Sequence, residues 1–488
     1  MIYFNPETGR LSRFNHDISK PFSIASDIVF SLYLDNNRTL WAGHAGDGVS
    51  QAQTLSNGIE QVPFNLSGGQ FPSILSFLED SKGNDWIGTW GYGLYRKSGL
   101  TGEVMTFKNN PANDQSLKNN MVWDIMEGRD GGIWLGTHGG LQKYDPQRGV
   151  FTNYGFESGL KYLPVRSLYE DRSGRLWIGT FGGLHWMDQS TGHIFFVDTI
   201  AENPNLIIND IIEDKEQNLW VASSGQGVFR LDSKKKTWVN FQRNKKDLQS
   251  ITSNEITSIV EDKDGQIWFA TEGGGLNLLV PDDEHPASST FRHWRTYNSD
   301  IISETIYKIL PDDAGNIWLG TAAGLASFHI KTQKTNPYSL KENMPHLRVK
   351  TRPGKSGFVY FGSPGIVYRF NPDSLKKNSN KPPVFITNFS LNNRIVPIRG
   401  SFGDSTSRHT PLAQSILYTH DIQLKYWQNN LNFEFSALNF IEPEKNHYQY
   451  QLEGYDEDWI PTDAARRFAP YTNLDWGHYI FKVKGSNN

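Results

Sequence analysis

Residues 170–180 read EDRSGRLWIGT, and close copies return as EDSKGNDWIGT at 79–89 and EDKDGQIWFAT at 261–271. The tryptophan is the most regular position of this phrase, and a tyrosine replaces it in the last copy. The eight anchors are Trp41, Trp86, Trp134, Trp177, Trp220, Trp268, Trp318 and Tyr360. Their spacings of 45, 48, 43, 43, 48, 50 and 42 residues are those of a four-stranded propeller blade and not of a helical repeat.

Each copy reads as four short strands. An alternating run such as residues 256–260 precedes an Asp-x-x-Gly turn, in which Asp bonds its own backbone and Gly adopts a positive φ. The tryptophan strand follows, and two further strands, such as those at 183–187 and 150–154, complete the unit. Short strands at even spacing, without a helical period, predict an all-β fold.

The repeated residues are predicted to be structural. The tryptophan anchors are expected to pack between adjacent blades, since large rings dominate core burial. The recurring carboxylates Asp80, Asp171, Asp262 and Asp312 are expected to form turns, because residues with a special function should depart from the repeat.

The number of blades stays open at seven or eight, within a propeller region assigned to residues 1–372. An N-terminal strand within residues 2–14 could complete the final blade at 347–370, which gives eight. Alternatively the ring has seven blades and roughly residues 1–60 belong to an upstream array, because atypical terminal repeats are common in such architectures.

The repeat stops after residue 372, and a polar, proline-ended linker is assigned to residues 373–383. Residues 384–488 are predicted to form an immunoglobulin- or fibronectin-III-like β-sandwich that lacks its last strand. The strands of this sandwich are predicted at 384–391, 421–427, 431–438, 448–452 and 479–483.

Composition excludes several classes of protein. The 488 residues have a net charge of −4, which argues against a nucleic-acid-binding surface, and no apolar run is long enough to span a membrane. Cysteine is absent, so disulfides, thiolate metal sites and a cysteine nucleophile are ruled out. The histidines lack metal-ligand spacing, and the residues at 1–6 do not read as a secretory signal. No cofactor and no metal are expected.

The blade phrase, with its following Gly-Gly-Leu, resembles the two-component regulator propeller repeat. The segment at 446–459, NHYQYQLEGYDEDW, and that at 471–481, YTNLDWGHYIF, resemble the three-tyrosine (Y_Y_Y) domain that follows such propellers. The two likenesses together cover essentially the whole chain, in the family's own order.

The resemblance implies the periplasmic sensor region of a bacterial hybrid histidine kinase or of a related diguanylate cyclase. It further implies an oligosaccharide or similar small polar ligand, and a homodimer formed through the sandwich. The output domain and the membrane helix would lie downstream of this chain, so no enzyme activity is expected within it.

The ligand is expected at the propeller face where the loops between second and third strands open around the channel. The residue four past each anchor varies from blade to blade, whereas the strands are constant, as suits a scaffold that presents a site. The candidate ligand-binding residues are Trp90, Tyr92, His138, Phe181, Gln226 and Glu272 on these loops, and Asn120, Asn254 and Glu304 on the loops before first strands.

Two other functions stay open. A secreted propeller enzyme, a lyase or a glycoside hydrolase, could use non-repeating carboxylates such as Glu272 and Glu304 as acid and base. A protein-interaction scaffold would use the same rim without a small ligand. The three-tyrosine domain favours the sensor, since neither alternative requires it.

Overall fold

The computed structural model describes residues 1–5, 10–17, 23–35, 39–53, 58–63, 73–200, 205–282, 284–338, 350–351, 357–363, 366–375, 382–399, 410–438, 443 and 446–486. It divides into two units. One is Gly58–Leu375, and the other comprises Met1–Asn57 and Lys376–Asn488.

Six antiparallel blades succeed one another in the first unit, each built from four consecutive strands, and the sheet of blade 1 gains a fifth, parallel strand. Blade 1 contains Ile74–Glu79, Asp85–Thr89, Leu94–Lys97 and Val104–Phe107; blade 2 contains Val122–Glu127, Ile133–Thr137, Gly140–Asp145 and Val150–Tyr154; blade 3 contains Val165–Glu170, Leu176–Thr180, Gly183–Asp188 and His193–Phe196. Blade 4 contains Ile208–Glu213, Leu219–Ser223, Val228–Leu231 and Trp238–Phe241; blade 5 contains Ile256–Glu261, Ile267–Thr271, Leu276–Val280 and Thr290–Trp294; blade 6 contains Ile306–Pro311, Asn316–Thr321, Gly324–His329 and Lys334–Tyr338. Single 3-10 turns at Phe156–Ser158, Pro286–Ser288 and Pro372–Ser374 lie outside the sheets.

Blade 7 is assembled from both ends of this unit. Val359–Ser363 pairs with Ile366–Phe370, which pairs antiparallel with Ile59–Pro63. The short strand Lys350–Thr351 runs parallel to the first strand of blade 1. The last blade thus takes its outer strand from a segment that precedes the first blade in sequence.

The hydrophobic core of the first unit is distributed over the blade junctions. Buried side chains form one cluster at each junction between consecutive blades from 1 to 7. A further cluster joins blade 7 to blade 1, where Phe77 stacks on Tyr360 at 4.1 Å between ring centroids. Seven blades with a buried junction on each side form a closed β-propeller, as predicted for the fold class.

The tryptophan anchors of the ring are buried at these junctions, with exposures of 4% or less. In five blades the indole Nε1 also donates to the turn aspartate six residues earlier, as in Trp268–Asp262 at 2.8 Å and Trp177–Asp171 at 2.8 Å. The same carboxylates accept backbone amides of their own turns, as in Asp262 with Gln266 N at 2.9 Å. The repeat therefore has the structural role predicted for it.

Residues before the ring include a hairpin of Ile2–Asn5 and Arg10–Arg13, and a sheet of Val29–Leu34, Thr39–His44 and Val49–Gln53. The sheet repeats the blade chemistry, since Trp41 Nε1 donates to Asp35 at 3.0 Å. Its first strand is exposed: Leu32 has 56% exposure, whereas Phe77, at the same position of blade 1, has 1%.

The described residues between 382 and 486 form two packed sheets, which confirms the sandwich. One contains Arg394–Ile395, Val384–Leu391, Leu431–Ala437 and Phe468–Tyr471, and the other contains Ile460–Asp463, His447–Glu453 and Ile480–Ser486. A 3-10 turn at Ile416–Tyr418 lies between strands. Phe433, Phe435 and Tyr448 fill the core, and Tyr471 Oη donates to Asp456 at 2.7 Å.

The predicted strand at 421–427 is wrong. This segment is irregular and ends in a turn, in which Gln428 N donates to Lys425 O at 2.8 Å. Tyr426, with 84% exposure, faces solvent, so its apolar pattern does not reflect a buried sheet face.

Candidate functional site

The residue four past each anchor occupies the same place in blades 1 to 6. Its backbone N–H donates to the carbonyl of the residue that precedes the first strand of the same blade, as in Trp90 to Ser73 at 2.9 Å and Phe181 to Pro164 at 3.2 Å. The six residues are Trp90, His138, Phe181, Ser224, Glu272 and Ala322. We call the end of the ring that carries them the mouth.

A second ring of positions lies at the mouth because every first strand of blades 1 to 6 contains a β-bulge after its first residue. A bulge leaves one residue unpaired and redirects its side chain, and bulges are frequent beside functional sites. The bulged residues are Leu75, Trp123, Arg166, Asn209, Thr257 and Tyr307.

The two sets interlock across blades 1 to 3 in an aromatic cluster. Trp90 lies edge-on to Trp123 with ring centroids 5.3 Å apart, and Trp123 lies 5.6 Å from Phe181. The Arg166 guanidinium lies 5.3 Å from the Trp123 ring and 5.4 Å from the Phe181 ring. Three rings and one cation from three blades therefore form one surface, which we call the mouth cluster.

The mouth cluster keeps binding capacity that the fold does not use. Trp90 is 50% exposed, although tryptophan is usually well covered. Trp123 Nε1 is buried and has no hydrogen-bond partner among the described residues. The cluster thus offers an exposed ring face, a donor without an acceptor and a cation held over aromatic rings, which suits a ligand with both apolar faces and oxygen acceptors.

Blades 4 and 5 present polar groups instead. Asn209 donates to Ser224 Oγ at 3.0 Å and to Ile256 O at 2.7 Å, and its Oδ1 is buried without a partner in the described part of the chain. Thr257 donates to Ile306 O at 2.6 Å. The mouth is aromatic and cationic on one side and polar on the other.

The channel wall behind the bulges is already occupied by internal bonds. Asp210 accepts from Ser258 Oγ at 3.0 Å, from Ile259 N at 3.2 Å and from Lys308 Nζ at 3.0 Å. The ion pair between Asp210 and Lys308 connects blade 4 to blade 6, and both side chains are at least 85% buried. A ligand is therefore more readily accommodated at the mouth than along this wall.

The structure brings Trp90 and Phe181 together in the mouth cluster, while the other predicted loop residues lie elsewhere. Tyr92 packs at the junction of blades 7 and 1. Gln226 accepts from Gln242 Nε2 at 3.1 Å. His138 and Glu272 are exposed at the mouth, and the Glu272 carbonyl accepts from Ser253 Oγ at 3.1 Å.

The predicted residues before first strands tie loops together. Asn120 Oδ1 accepts from Asn109 N, and Asn254 Oδ1 accepts from Arg243 N, both at 2.7 Å. Glu304 forms an ion pair with Arg295 and accepts from Thr296 Oγ1 at 2.9 Å. The hydrogen bond from Arg295 holds the pKa of the Glu304 carboxyl below its ordinary value, which disfavours a general acid there.

Sequence reasoning missed Trp123 and Arg166. Their signal was the variation at the second residue of each first strand, which matches the variation four past each anchor. Simple strand alternation does not reveal the direction of these side chains, because the bulge changes the alternation at that residue.

Neither a cluster of potential metal ligands nor a membrane-spanning helix is found among the described residues. None of their His, Asp and Glu side chains form a group of three or more that could hold a metal ion. No helix among them has the length and apolarity needed to cross a membrane.

Comparison with known protein families gives matches in both the propeller and the sandwich. Two-component regulator propeller repeats match at 116–139, 159–182, 250–273 and 300–323, and a Y_Y_Y domain matches at 439–488. The resemblance drawn from the blade phrase and the tyrosine segment is therefore confirmed.

Histidine kinase P4 of Formosa agariphila is 28% identical over 202 residues, which are 41% of this chain and 14% of that protein. The extracellular domain of BT4673 from B. thetaiotaomicron, described as a one-component and as a hybrid two-component system, is 22% identical with a TM-score of 0.53. That alignment covers 100% of this chain and 64% of the BT4673 chain. The chain thus spans less than two thirds of either relative, and the structural likeness shows the fold.

Proposed function

We propose that this chain, with its two-component regulator propeller repeats and its Y_Y_Y domain, is the extracytoplasmic ligand-sensing region of a bacterial transmembrane receptor. The mouth cluster of Trp90, Trp123, Phe181 and Arg166 is the observation that carries the ligand-sensing part of this proposal, and the repeat and Y_Y_Y matches support the receptor part. The mouth cluster combines aromatic and cationic recognition groups from three blades in one surface.

An oligosaccharide is the ligand that this chemistry favours. The exposed Trp90 ring can stack on the apolar face of a sugar, and the Arg166 guanidinium can donate to its oxygens. The Trp123 indole N–H is buried, so it donates to the sugar only when its ring turns toward the opening. The polar side of the mouth, with Asn209 and Glu272, extends the surface available to neighbouring sugar units.

The wider receptor is part of the same proposal. Histidine kinase P4 matches part of this chain, which supports a kinase as the output domain. The BT4673 likeness supports a place outside the cytoplasm, and we assign the periplasm. In this proposal the sandwich forms a homodimer and relays ligand binding to the membrane.

Thermal-shift measurements of the chain against a panel of oligosaccharides test the ligand. Specific binding stabilises the folded state by RT ln(1 + [L]/Kd), about 2.7 kcal/mol at a ligand concentration 100 times Kd. The chain should melt at a higher temperature with at least one oligosaccharide.

Trp90→Ala should abolish that shift and change the unliganded melting temperature by less than about 2 °C, because half of the side chain is exposed. Phe195→Ala, an aromatic substitution of similar exposure (40%) on the last strand of blade 3, is the matched control and should keep the shift. Absence of any shift in the wild type, or an unchanged shift in Trp90→Ala, would count against an oligosaccharide at the mouth.

A further inference from the structure

The first and last strands of the sandwich begin and end at the same end of its two sheets. Val384 pairs with Ala437, and His447 pairs with Ser486, so the first and last described strand residues of this sandwich share one end. Ala437 N donates to Tyr448 Oη at 3.0 Å across the two sheets at this end. The other end lies opposite both chain connections, and we call it the loop end.

The loop end displays aromatic side chains that the fold leaves uncovered. Trp476 has 94% exposure, Tyr426 has 84% and Trp427 has 55%. The two loops that carry them are joined by hydrogen bonds from Leu474 N to Asn429 O and from Asn473 N to Asn430 Oδ1, both at 3.1 Å. Such exposure of tryptophan is unusual in a soluble domain, and it points to contact with another molecule.

A groove of about 160 Å³ runs from the same loops onto the outer face of the four-stranded sheet. Asn432 and Pro470 form a cross-strand pair on that face, since the alternate residues Phe433 and Ala469 are buried in the core. The groove is lined by Asn393, Asn430, Asn432, Phe468, Pro470 and Thr472 among others. None of its described lining residues is charged.

The side-chain oxygen of Asn432, which lines the groove, has no hydrogen-bond partner among the described residues. This oxygen is buried. Both polar atoms of Asn430, by contrast, have partners, because Oδ1 accepts from Asn473 N and Nδ2 donates to Asn392 Oδ1 at 3.2 Å. Because the Asn432 oxygen is not exposed, a ligand hydroxyl reaches it only when the Asn432 side chain turns toward the groove, and that bond would remove the penalty of the unpaired acceptor.

We propose that this groove binds one residue of a neutral oligosaccharide, at a site separate from the mouth of the propeller. The amides supply hydrogen bonds without charge, and the Phe468 ring, 46% exposed, supplies an apolar wall. The volume of about 160 Å³ is well below the roughly 300–1,000 Å³ of pockets for drug-sized ligands, and we match it to a single sugar ring. Protein partners need far more area, about 800 Å² on each side.

The test is saturation-transfer NMR and calorimetry on the full chain with cellotetraose, xylotetraose, mannotetraose and laminaritetraose as probes. The measurements are made in the Trp90→Ala background, so that binding at the mouth does not contribute. At least one probe should bind saturably, and Asn432→Ala should weaken that binding at least tenfold. Asn388→Ala, the same substitution on the same sheet but outside the groove, should leave it unchanged.

A second variant guards against the case in which Asn432→Ala weakens binding only because it destabilises the sandwich. Phe468→Ser lies on an exposed edge strand and should weaken the same probe without lowering the melting temperature appreciably. The proposal is overturned if none of the four probes binds in the Trp90→Ala background, or if binding survives both groove variants. Loss of all binding on Trp90→Ala alone would overturn the groove and leave the mouth proposal standing.

Discussion

The pairing of an aspartate with the indole six residues later is the most repeated contact of the ring, and blade 2 lacks it. There Gly128 stands where five other blades have the aspartate, and Trp134 Nε1 is buried with no partner among the described residues. Lys143 Nζ lies 4.7 Å from the Trp134 ring and forms an ion pair with Asp130. The carboxylate is therefore a stabilising group that one junction tolerates losing.

Removing the turn aspartate from a blade that has it should lower the free energy of unfolding. Asp262→Ala leaves the Trp268 indole and the amides of Asp264 and Gln266 without an acceptor in a buried turn. The free energy of unfolding should fall by about 2–4 kcal/mol, as for other buried polar groups that lose their partner. Urea denaturation monitored by tryptophan fluorescence measures it.

Asp264→Ala is the control, because this neighbouring carboxylate is exposed and its change should stay within about 0.5 kcal/mol. Equal effects of the two substitutions would show that the loss comes from the turn in general and not from the bond to the anchor.

At the scale of the element, the first two strands of blade 1 concentrate charge at the junction with blade 7. Asp85 lies opposite Glu79 in the strand pair, and Tyr360 Oη of blade 7 donates to Glu79 at 3.1 Å. Burial raises the pKa of Asp85 to about 6, with Glu79 and Asp80 adding to the rise and with Lys97 and Arg369 opposing it. An ionised Asp85 is thus unfavourable in the folded blade.

The stability of the chain should depend on pH through this residue. Because the folded pKa lies above the unfolded value of 3.8, the folded state holds the proton between about pH 4 and 6, and the associated stability is lost as pH rises through about 6. Asp85→Asn should remove this dependence. The free energy of unfolding of the variant minus that of wild type should be about 1–2 kcal/mol more favourable to the variant at pH 7.5 than at pH 4.5.

The measurement is paired urea denaturation of wild type and Asp85→Asn at both pH values, since the difference cancels the titration of other groups. A constant difference between the two proteins across this range would contradict the raised pKa.

On the scale of the whole molecule, closure of the ring depends on a strand remote in sequence. Ile59–Pro63 supplies the outer strand of blade 7, and Glu60 forms an ion pair with Arg369 at 2.8 Å across that pairing. The pairing joins residues about 300 positions apart, so the two ends of the unit Gly58–Leu375 are held by one blade.

Two N-terminal deletions separate the closing strand from the residues before it. Removal of residues 1–57 should retain a cooperative ring, whereas removal of residues 1–72 should lower the melting temperature by about 10 °C or more, because blade 7 then has an unpaired edge. Differential scanning calorimetry of both proteins checks this. Similar melting of the two deletions would show that the closing strand contributes little to ring stability.

The sequence alone determined the propeller, the sandwich and the role of the repeat, because a 45-residue period with one anchor per blade reflects contacts that each blade makes with its neighbours. Trp90 and Phe181 could be selected from the sequence because the position four residues after each anchor differs in identity from blade to blade. Trp123 and Arg166 could not be selected, since the direction of their side chains depends on a bulge. The bonds that tie Asn120, Asn254 and Glu304 to nearby loops are likewise not visible from residue spacing.

Only the tertiary structure decided how the ring closes and which variable residues meet. Ring closure pairs residues about 300 positions apart, and the mouth cluster draws its four side chains from three separate blades. Local pattern reports the contacts that recur within and between neighbouring repeats. Contacts that occur once, between distant segments, depend on the geometry of the complete ring.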